Sequence, residues 1–200
     1  MSVAIIKYNA GNIFSVENAM RRIGQEAVVT DNPDVIRAAD RVIFPGVGEA
    51  STTMRYLREH GLDDLIRSLK QPTLGICIGL QLMCAYSEEG DTECLGIFDE
   101  RVTRFKSSVH KIPHMGWNTI RAKNSPLFAG LGKDPHVYYV HSYCAQLGEH
   151  TVAVTDYVQP FSAALHKDNF YAVQFHPEKS SLVGEQILKN FLGISETLKY

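Results

Sequence analysis

The segment Gly75-Ile76-Cys77-Ile78-Gly79 holds a thiol between two glycines, where an apolar run gives way to a helical one. A sharp strand-to-helix turn needs small residues two positions either side of its apex, and glycine meets that need. A cysteine at such an apex lies at a helix N-terminus, where backbone N–H groups favour thiolate over thiol. The N–H of Ile78 can then face a developing oxyanion. Near the C-terminus, Gln174-Phe175-His176-Pro177-Glu178-Lys179-Ser180 brackets a proline with a histidine and a glutamate. Proline keeps the preceding residue extended and fixes its own φ. Residues i and i+2 of an extended segment share a face, so Glu178 can accept from His176 Nδ1 and leave Nε2 for a sulfur. Nucleophile, proton shuttle and orienting carboxylate form the set that cysteine catalysis needs, so Cys77, His176 and Glu178 are the candidate catalytic residues. A third segment, Pro45-Gly46-Val47-Gly48, follows the apolar run RVIF. Its glycines let backbone N–H groups come close to a ligand, as a second oxyanion donor and substrate floor. No Gly-Lys-Ser/Thr follows, which argues against a phosphate loop. Each segment has a plainer counterpart: a packed cysteine, a solvated turn after a strand, an ordinary Pro-Gly turn.

The elements that must position these groups alternate in the first half. VAIIKY, AVVT, RVIF and PTLGI read as strands. Between them, helices are expected from Gly11-Asn12 to Ile23, over NPDVIRAA, over STTMRYLREH to Gly61, and over LDDLIRSLK. A further helix is expected from Cys77 to Gly90, with Ile78, Leu82 and Ala85 on one side. Such alternation argues for a parallel sheet with crossover helices, with the site at the C-terminal ends of its strands. After Gly90 the texture becomes strand-like: LGIFDERVTRF, MGWNTIRA, HVYYVHSYCA, TVAVTDY and FSAALHKDNFYAVQF, separated by turn residues that suggest hairpins. SLVGEQILKNFLGI closes the chain as a helix.

The 200 residues fit a single domain, 1–200, with a core large enough to need no covalent staples. A formal charge of −2 gives no basic excess for nucleic acid or anionic lipid. The opening MSVAIIKYNAGN is too short an apolar run for a signal peptide or membrane span, which points to the cytoplasm. Cys77, Cys84, Cys94 and Cys144 do not read as a disulfide framework, and Cys84 reads as core. His110, His114, His136, His141 and His166 match no common zinc spacing, so no metal and no cofactor are expected.

Taken in order, PGVG, GICIGLQ and QFHPEKS resemble the class I glutamine amidotransferases over nearly the whole chain. That resemblance implies a flavodoxin-like α/β fold with a central mostly parallel sheet, flanking helices and an added antiparallel hairpin layer in the second half. It also implies hydrolysis of glutamine to glutamate and ammonia through a γ-glutamyl thioester. YNAGN, PHMGWN, YVHSY and HPEKS resemble, more narrowly, the family branch of glutaminase subunits in imidazole glycerol phosphate synthase, of histidine biosynthesis. In that branch the partner is a (β/α)8-barrel cyclase, joined in a heterodimer and fed ammonia through a tunnel. Carried over by motif, Gly46, Val47 and Ile78 match the oxyanion region. Gln81, Glu89, Ser142 and Tyr143 match positions that hold glutamine, with Gly48 beside them. Asn12, Trp117 and Lys179 match the partner-facing side. Asn9-Ala10 departs from the glycine that many relatives carry there, and Ile78 and Leu80 replace Leu and Met. Trp117 also suits a hairpin core, Lys179 a solvated charge and Glu89 a solvated helix end. Another cysteine hydrolase or amidotransferase of this fold, of γ-glutamyl peptidase type or from a different synthase, is the alternative. A non-enzymatic binding module is a third, which the intact Cys-His-Glu set disfavours.

Overall fold

The computed structural model describes residues 1–8 and 12–195; the Asn9-Ala10 departure lies outside the described residues. The first half alternates as expected: β1 (Val3–Ile6), α1 (Ile13–Arg22), β2 (Val28–Thr30), α2 (Pro33–Ala38), β3 (Arg41–Phe44), α3 (Ala50–Glu59), α4 (Leu62–Ser68), β4 (Thr73–Ile76) and α5 (Ile78–Met83). The starts are fixed locally. Asn32 accepts from the Asp34 N–H ahead of Pro33, and Glu49 accepts from Ser51 and Thr52 at the head of α3, both as N-caps. Residues of β1, β3 and β4 are buried throughout, as strands covered on both faces must be.

Helix α5 is shorter than the expected run to Gly90. Its last carbonyls are taken by a returning segment: Leu95 N–H donates to Leu82 O, Ile97 and Phe98 to Met83 O, and Gly96 to Cys84 O. With those acceptors occupied the helix stops, and the chain enters β5 (Tyr86–Ser87) and β6 (Thr92–Glu93). The second half continues with β7 (Arg101–Arg104), β8 (His114–Thr119), β9 (Arg121–Ala122), β10 (His136–His141), β11 (Tyr143–Ala145), β12 (Thr151–Asp156), β13 (Pro160–Lys167), β14 (Phe170–Val173) and α6 (Ser181–Leu192). The run HVYYVHSYCA is therefore two strands, divided at Ser142, and they join different sheets.

The central sheet has eight strands in the order β2-β1-β3-β4-β14-β13-β12-β9. It is parallel from β2 to β14 and antiparallel beyond. The hairpin strands β12 and β13 thus extend the main sheet, while β8–β10 and β11-β7-β5-β6 form two smaller sheets. Strand β14 lies between β4 and β13, with Ala172 opposite Gly75 and Val173 opposite Ile76. That register brings the chain ends after β4 and β14 to one edge of the sheet. The two buried apolar clusters lie around this sheet, one including Ile5, Leu74, Phe161, Phe175 and Phe191, the other Ile6, Phe44, Met54, Leu82 and Phe98. Among the described residues no helix is long and apolar enough to cross a membrane.

Candidate active site

Cys77 sits between β4 and α5 with φ 55°, a left-handed conformation that costs energy in a non-glycine residue. Its N–H donates to Val173 O at 2.8 Å, so the turn is anchored to the end of β14. The flanking glycines are required by contact as well as by the turn. A Cβ on Gly79 would lie 2.2 Å from the Phe44 carbonyl oxygen, and one on Gly75 would lie 2.9 Å from Met83 Sδ. The elbow is thus pressed against the end of β3.

His176 leaves β14 extended, with φ −100° and ψ 95°, as the following Pro177 requires. Its backbone is held twice: its N–H donates to Tyr138 O at 2.9 Å, and Ser180 Oγ donates to its carbonyl at 2.6 Å. His176 Nδ1 lies 2.8 Å from Glu178 Oε1, and both side chains are fully buried. Burial alone would disfavour the charged imidazole. Hydrogen-bonding and then electrostatic interactions with Cys77 and Glu178 outweigh it and push His176 up to about 10. Nε2 itself is buried and falls outside hydrogen-bond geometry with any partner. Cys77 nevertheless favours its protonation, and catalytic contacts often close fully only when substrate binds. The structure thus brings Cys77, His176 and Glu178 to one place.

Asn12, expected on the partner-facing side, also reaches the buried carboxylate of Glu178. It is 9% exposed, and its Nδ2 donates to Glu178 Oε1. Arg22, at the other end of α1, donates to the Glu178 carbonyl at 3.2 Å. Together they tie α1 to the 177–179 turn, which forms a single 3₁₀ turn. Trp117 is 54% exposed on β8, edge-on to Tyr138, and Lys179 is exposed.

The Pro45–Gly48 loop leaves β3 beside the elbow. A Cβ on Gly46 would lie 1.8 Å from Tyr8 Oη and 2.5 Å from Ile78 Cγ2, so the loop backbone, Tyr8 and Ile78 are in contact. Tyr8 donates its hydroxyl to Pro45 O, and burial, aided by the charge of Cys77, raises its pKa. Val47 is half-buried and Gly48 exposed, with φ 151°. Glu89 lies in the turn after β5 rather than at a helix end. Its Oε2 accepts from the Ala50 N–H at 2.8 Å, fastening this turn to the head of α3. Burial raises its pKa, with the Glu49 charge adding to this and the Ala50 N–H opposing it.

Gln81 is buried and faces away from solvent. Its Nε2 donates to Tyr143 O and to Gln174 Oε1, each at 3.0 Å. Gln174 Nε2 donates in turn to Cys77 Sγ at 3.8 Å. Sequence reasoning missed Gln174; its signal is a polar residue ending the apolar strand FYAV, fully buried in the fold. Ser142 and Tyr143 are half-buried at the division between β10 and β11. His141 and His114 are buried nearby, and burial pushes them down to about 3 and about 4. Among the described residues no three His, Cys, Asp or Glu side chains group as a metal site. A cavity of about 1120 Å³ opens at the opposite ends of the strands, lined in part by Arg37, Arg67 and Lys70; Cys77 does not border it.

Residues 4–194 match the family model described as glutamine amidotransferase class-I. The chain is 62% identical over 196 residues to the "Imidazole glycerol phosphate synthase subunit HisH" of Bacteroides fragilis, covering 97% of this chain and 100% of that protein. It is 58% identical to the protein of the same name from Bacteroides thetaiotaomicron, with the same coverage. Among solved structures, a crystal structure of a glutamine amidotransferase superposes with a TM-score of 0.74 at 19% identity, over 96% of this chain and 98% of that one. The structure of PurLQS from Thermotoga maritima gives 0.72 at 14% identity, over 96% and 97%. At these identities the structural likeness establishes the fold.

Proposed function

Because the chain belongs to the class I glutamine amidotransferase family, we propose that it is the glutaminase subunit of an imidazole glycerol phosphate synthase, cytoplasmic and paired in a heterodimer with a (β/α)8 cyclase that uses its ammonia. The family and the relatives' names support the reaction class. The observation that carries the chemistry is the buried His176, held by Glu178 Oε1 at 2.8 Å on one side and favoured in its charged form by Cys77 on the other.

With the proton resident on His176, Cys77 Sγ attacks the carboxamide carbon of glutamine. The carbonyl π electrons move to oxygen, and the oxyanion is received by the Ile78 N–H and the Gly46–Val47 backbone. Its collapse breaks the C–N bond. His176 gives its proton to the departing nitrogen, which leaves as ammonia. Water then attacks the thioester carbon and yields its proton to His176. The C–S bond breaks, glutamate departs, and the sulfur–imidazolium pair is restored. Glu178 holds the ring by Nδ1 and offsets the imidazolium charge throughout, and Asn12 fixes the carboxylate. Gly48, Gln81, Glu89, Ser142 and Tyr143 frame the glutamine site, Gln81 and Glu89 through the backbone that they hold.

The partner-facing side is read from exposed apolar groups. Phe14, Met115, Trp117 and Leu182 are all more than half exposed, on α1, β8 and α6. Helices α1 and α6 and strand β10 pack on the 177–179 turn, and β8 pairs with β10. A partner seated there would lie next to Lys179 and the base. Cys77→Ala tests the proposal. Ammonia release from glutamine, assayed with and without cyclase and its nucleotide, is expected to vanish while the fold persists. A glutamine-like electrophile should label Cys77 in the natural chain. Near-natural turnover by the variant overturns the assignment.

A further inference from the structure

Two buried histidines outside the Cys-His-Glu set form one continuous chain with the sulfur, and each link has a forced polarity. The hub is the Tyr143 carbonyl, which can only accept. It receives His141 Nδ1–H at 2.7 Å and Gln81 Nε2 at 3.0 Å. A neutral His141 that donates from Nδ1 must accept at Nε2, so the partner there, His114 Nδ1 at 2.9 Å, is the donor. His114 Nε2 is then an acceptor, and Asn118 Nδ2 supplies it at 3.3 Å while also donating to Asp156 O at 3.0 Å. On the other side of the hub, Gln81 Nε2 donates to Gln174 Oε1 as well. That fixes which end of the Gln174 amide faces Cys77: Nε2, the donor.

We propose that His114 and His141 are positioning residues for the sulfur: by locking the Tyr143 carbonyl they set the Gln81 and Gln174 amides, so that an N–H is presented to Cys77 Sγ. An N–H aimed at sulfur holds it in place and favours thiolate. The reverse orientation would aim a carbonyl oxygen at it and oppose ionisation. An amide cannot choose its own orientation, so some fixed group must choose for it. Tyr143 O does so because it is an obligate acceptor, and His141 holds that oxygen still.

The neutral state of both rings has visible causes. His114 is stacked on Tyr157 at 3.9 Å and on Tyr139 at 4.7 Å, and Phe105 and Phe161 meet both rings edge-on. Burial depresses both histidines; for His141 the bond to the Tyr143 carbonyl opposes this, and the neighbouring His114 and His176 add to the depression. With one proton each, the pair reads in a single direction, outward donor to inward acceptor. Structural packing alone would need the rings but not their tautomers.

The inference rests on Cys77 being the nucleophile, and its test separates the two. Nitrogen-15 NMR of the full chain at pH 7 should find both histidines neutral and protonated at Nδ1. Either ring as the Nε2–H tautomer, or charged, overturns the relay, whatever Cys77 does. The second readout is Cys77 alkylation by iodoacetamide, followed by mass spectrometry, in the chain alone and in its complex with the cyclase. Measured below the titration midpoint of Cys77, His141→Phe should slow it roughly tenfold, because raising a thiol pKa by about one unit cuts its thiolate fraction about tenfold there. His141→Asn, which keeps a donor where Nδ1 was, should return it to within about twofold, because the hydrogen bond to the Tyr143 carbonyl is restored. Gln174→Leu removes the last link without touching the aromatic cluster, and should slow alkylation as His141→Phe does. Natural rates in folded His141→Phe or Gln174→Leu, or no recovery in His141→Asn, overturn the proposal. Full ammonia release by Cys77→Ala would instead sink the nucleophile assignment and leave the tautomers as found.

Discussion

Asn12 and Glu178 are 166 residues apart in the chain and share a hydrogen bond in the core, on the same carboxylate oxygen that holds His176. The carboxylate therefore has its orientation set from two directions, by the imidazole and by the residue that opens α1. Hydrogen bonds to charged groups are worth about 1.5–3 kcal/mol, so removing one at this position should be felt in the rate. Asn12→Ala is expected to lower kcat for ammonia release roughly tenfold, since about 1.4 kcal/mol is a tenfold change, with little change in KM. Asn12→Asp, which sets a second carboxylate against Glu178, should be worse. Steady-state kinetics on the cyclase complex checks both; an Asp variant that outperforms Ala would refute this account of the contact.

The elbow tolerates no Cβ at Gly79, because the Phe44 carbonyl oxygen would lie 2.2 Å away and backbone cannot rotate aside. Gly79→Ala should destabilise the fold by about 1–3 kcal/mol, the usual cost of overpacking. Urea unfolding measures the loss. Gly132→Ala is the control, because a Cβ there meets nothing within 4 Å.

His114 and His141 give the protein an acid limb of stability. Both are held below their ordinary value of 6.5, to about 4 and about 3. Below pH 6.5 the unfolded chain takes up protons that the folded chain refuses, so stability falls as pH drops. The loss begins near pH 6.5, continues for His114 to about 4 and for His141 to about 3, and then levels off. His176 acts oppositely: raised to about 10, it stabilises fully below 6.5, and the gain is lost as pH rises from 6.5 through about 10. Urea midpoints across about pH 4 to 10 should therefore decline towards both ends. His176→Asn should flatten the alkaline decline and keep most of the acid one, whose largest cause is burial.

Trp117 presents an exposed indole edge-on to Tyr138, whose carbonyl accepts the His176 N–H. Tryptophan is enriched among the few interface residues whose truncation costs about 2 kcal/mol or more. Trp117→Ala should weaken association with the cyclase roughly thirtyfold, the equivalent of about 2 kcal/mol, and leave unfolding of the isolated chain unchanged. Calorimetric titration of the two subunits checks the first; urea unfolding checks the second.

Much of this arrangement is written in local sequence. The alternating halves of β1 to β4, the glycines around Cys77 and the proline after His176 act within a few residues, so their consequences can be read directly. What could not be read depends on partners far away in the chain. The helix after Cys77 stops at Met83 because Leu95–Phe98 takes its carbonyls, and no residue within the helix announces that. HVYYVHSYCA reads as one strand until Ser142 proves to divide two sheets. Asn12 reads only as a partner-facing match, because the carboxylate it bonds, Glu178, is 166 positions on. Gln174 reads as the polar end of a strand, since its meaning lies in Gln81 and Cys77.

The place of β14 between β4 and β13 has a consequence for how the protein comes to be. Everything from α5 to β13 is laid down after the sulfur and before the histidine, yet in the finished molecule the two follow the ends of adjacent strands. A chain emerging from the ribosome therefore carries its thiol unaccompanied until about a hundred further residues, through His176 and Glu178, have been made. Only when β14 pairs with β4 do the sulfur and the imidazole meet, so a partly made chain lacks the proposed proton shuttle.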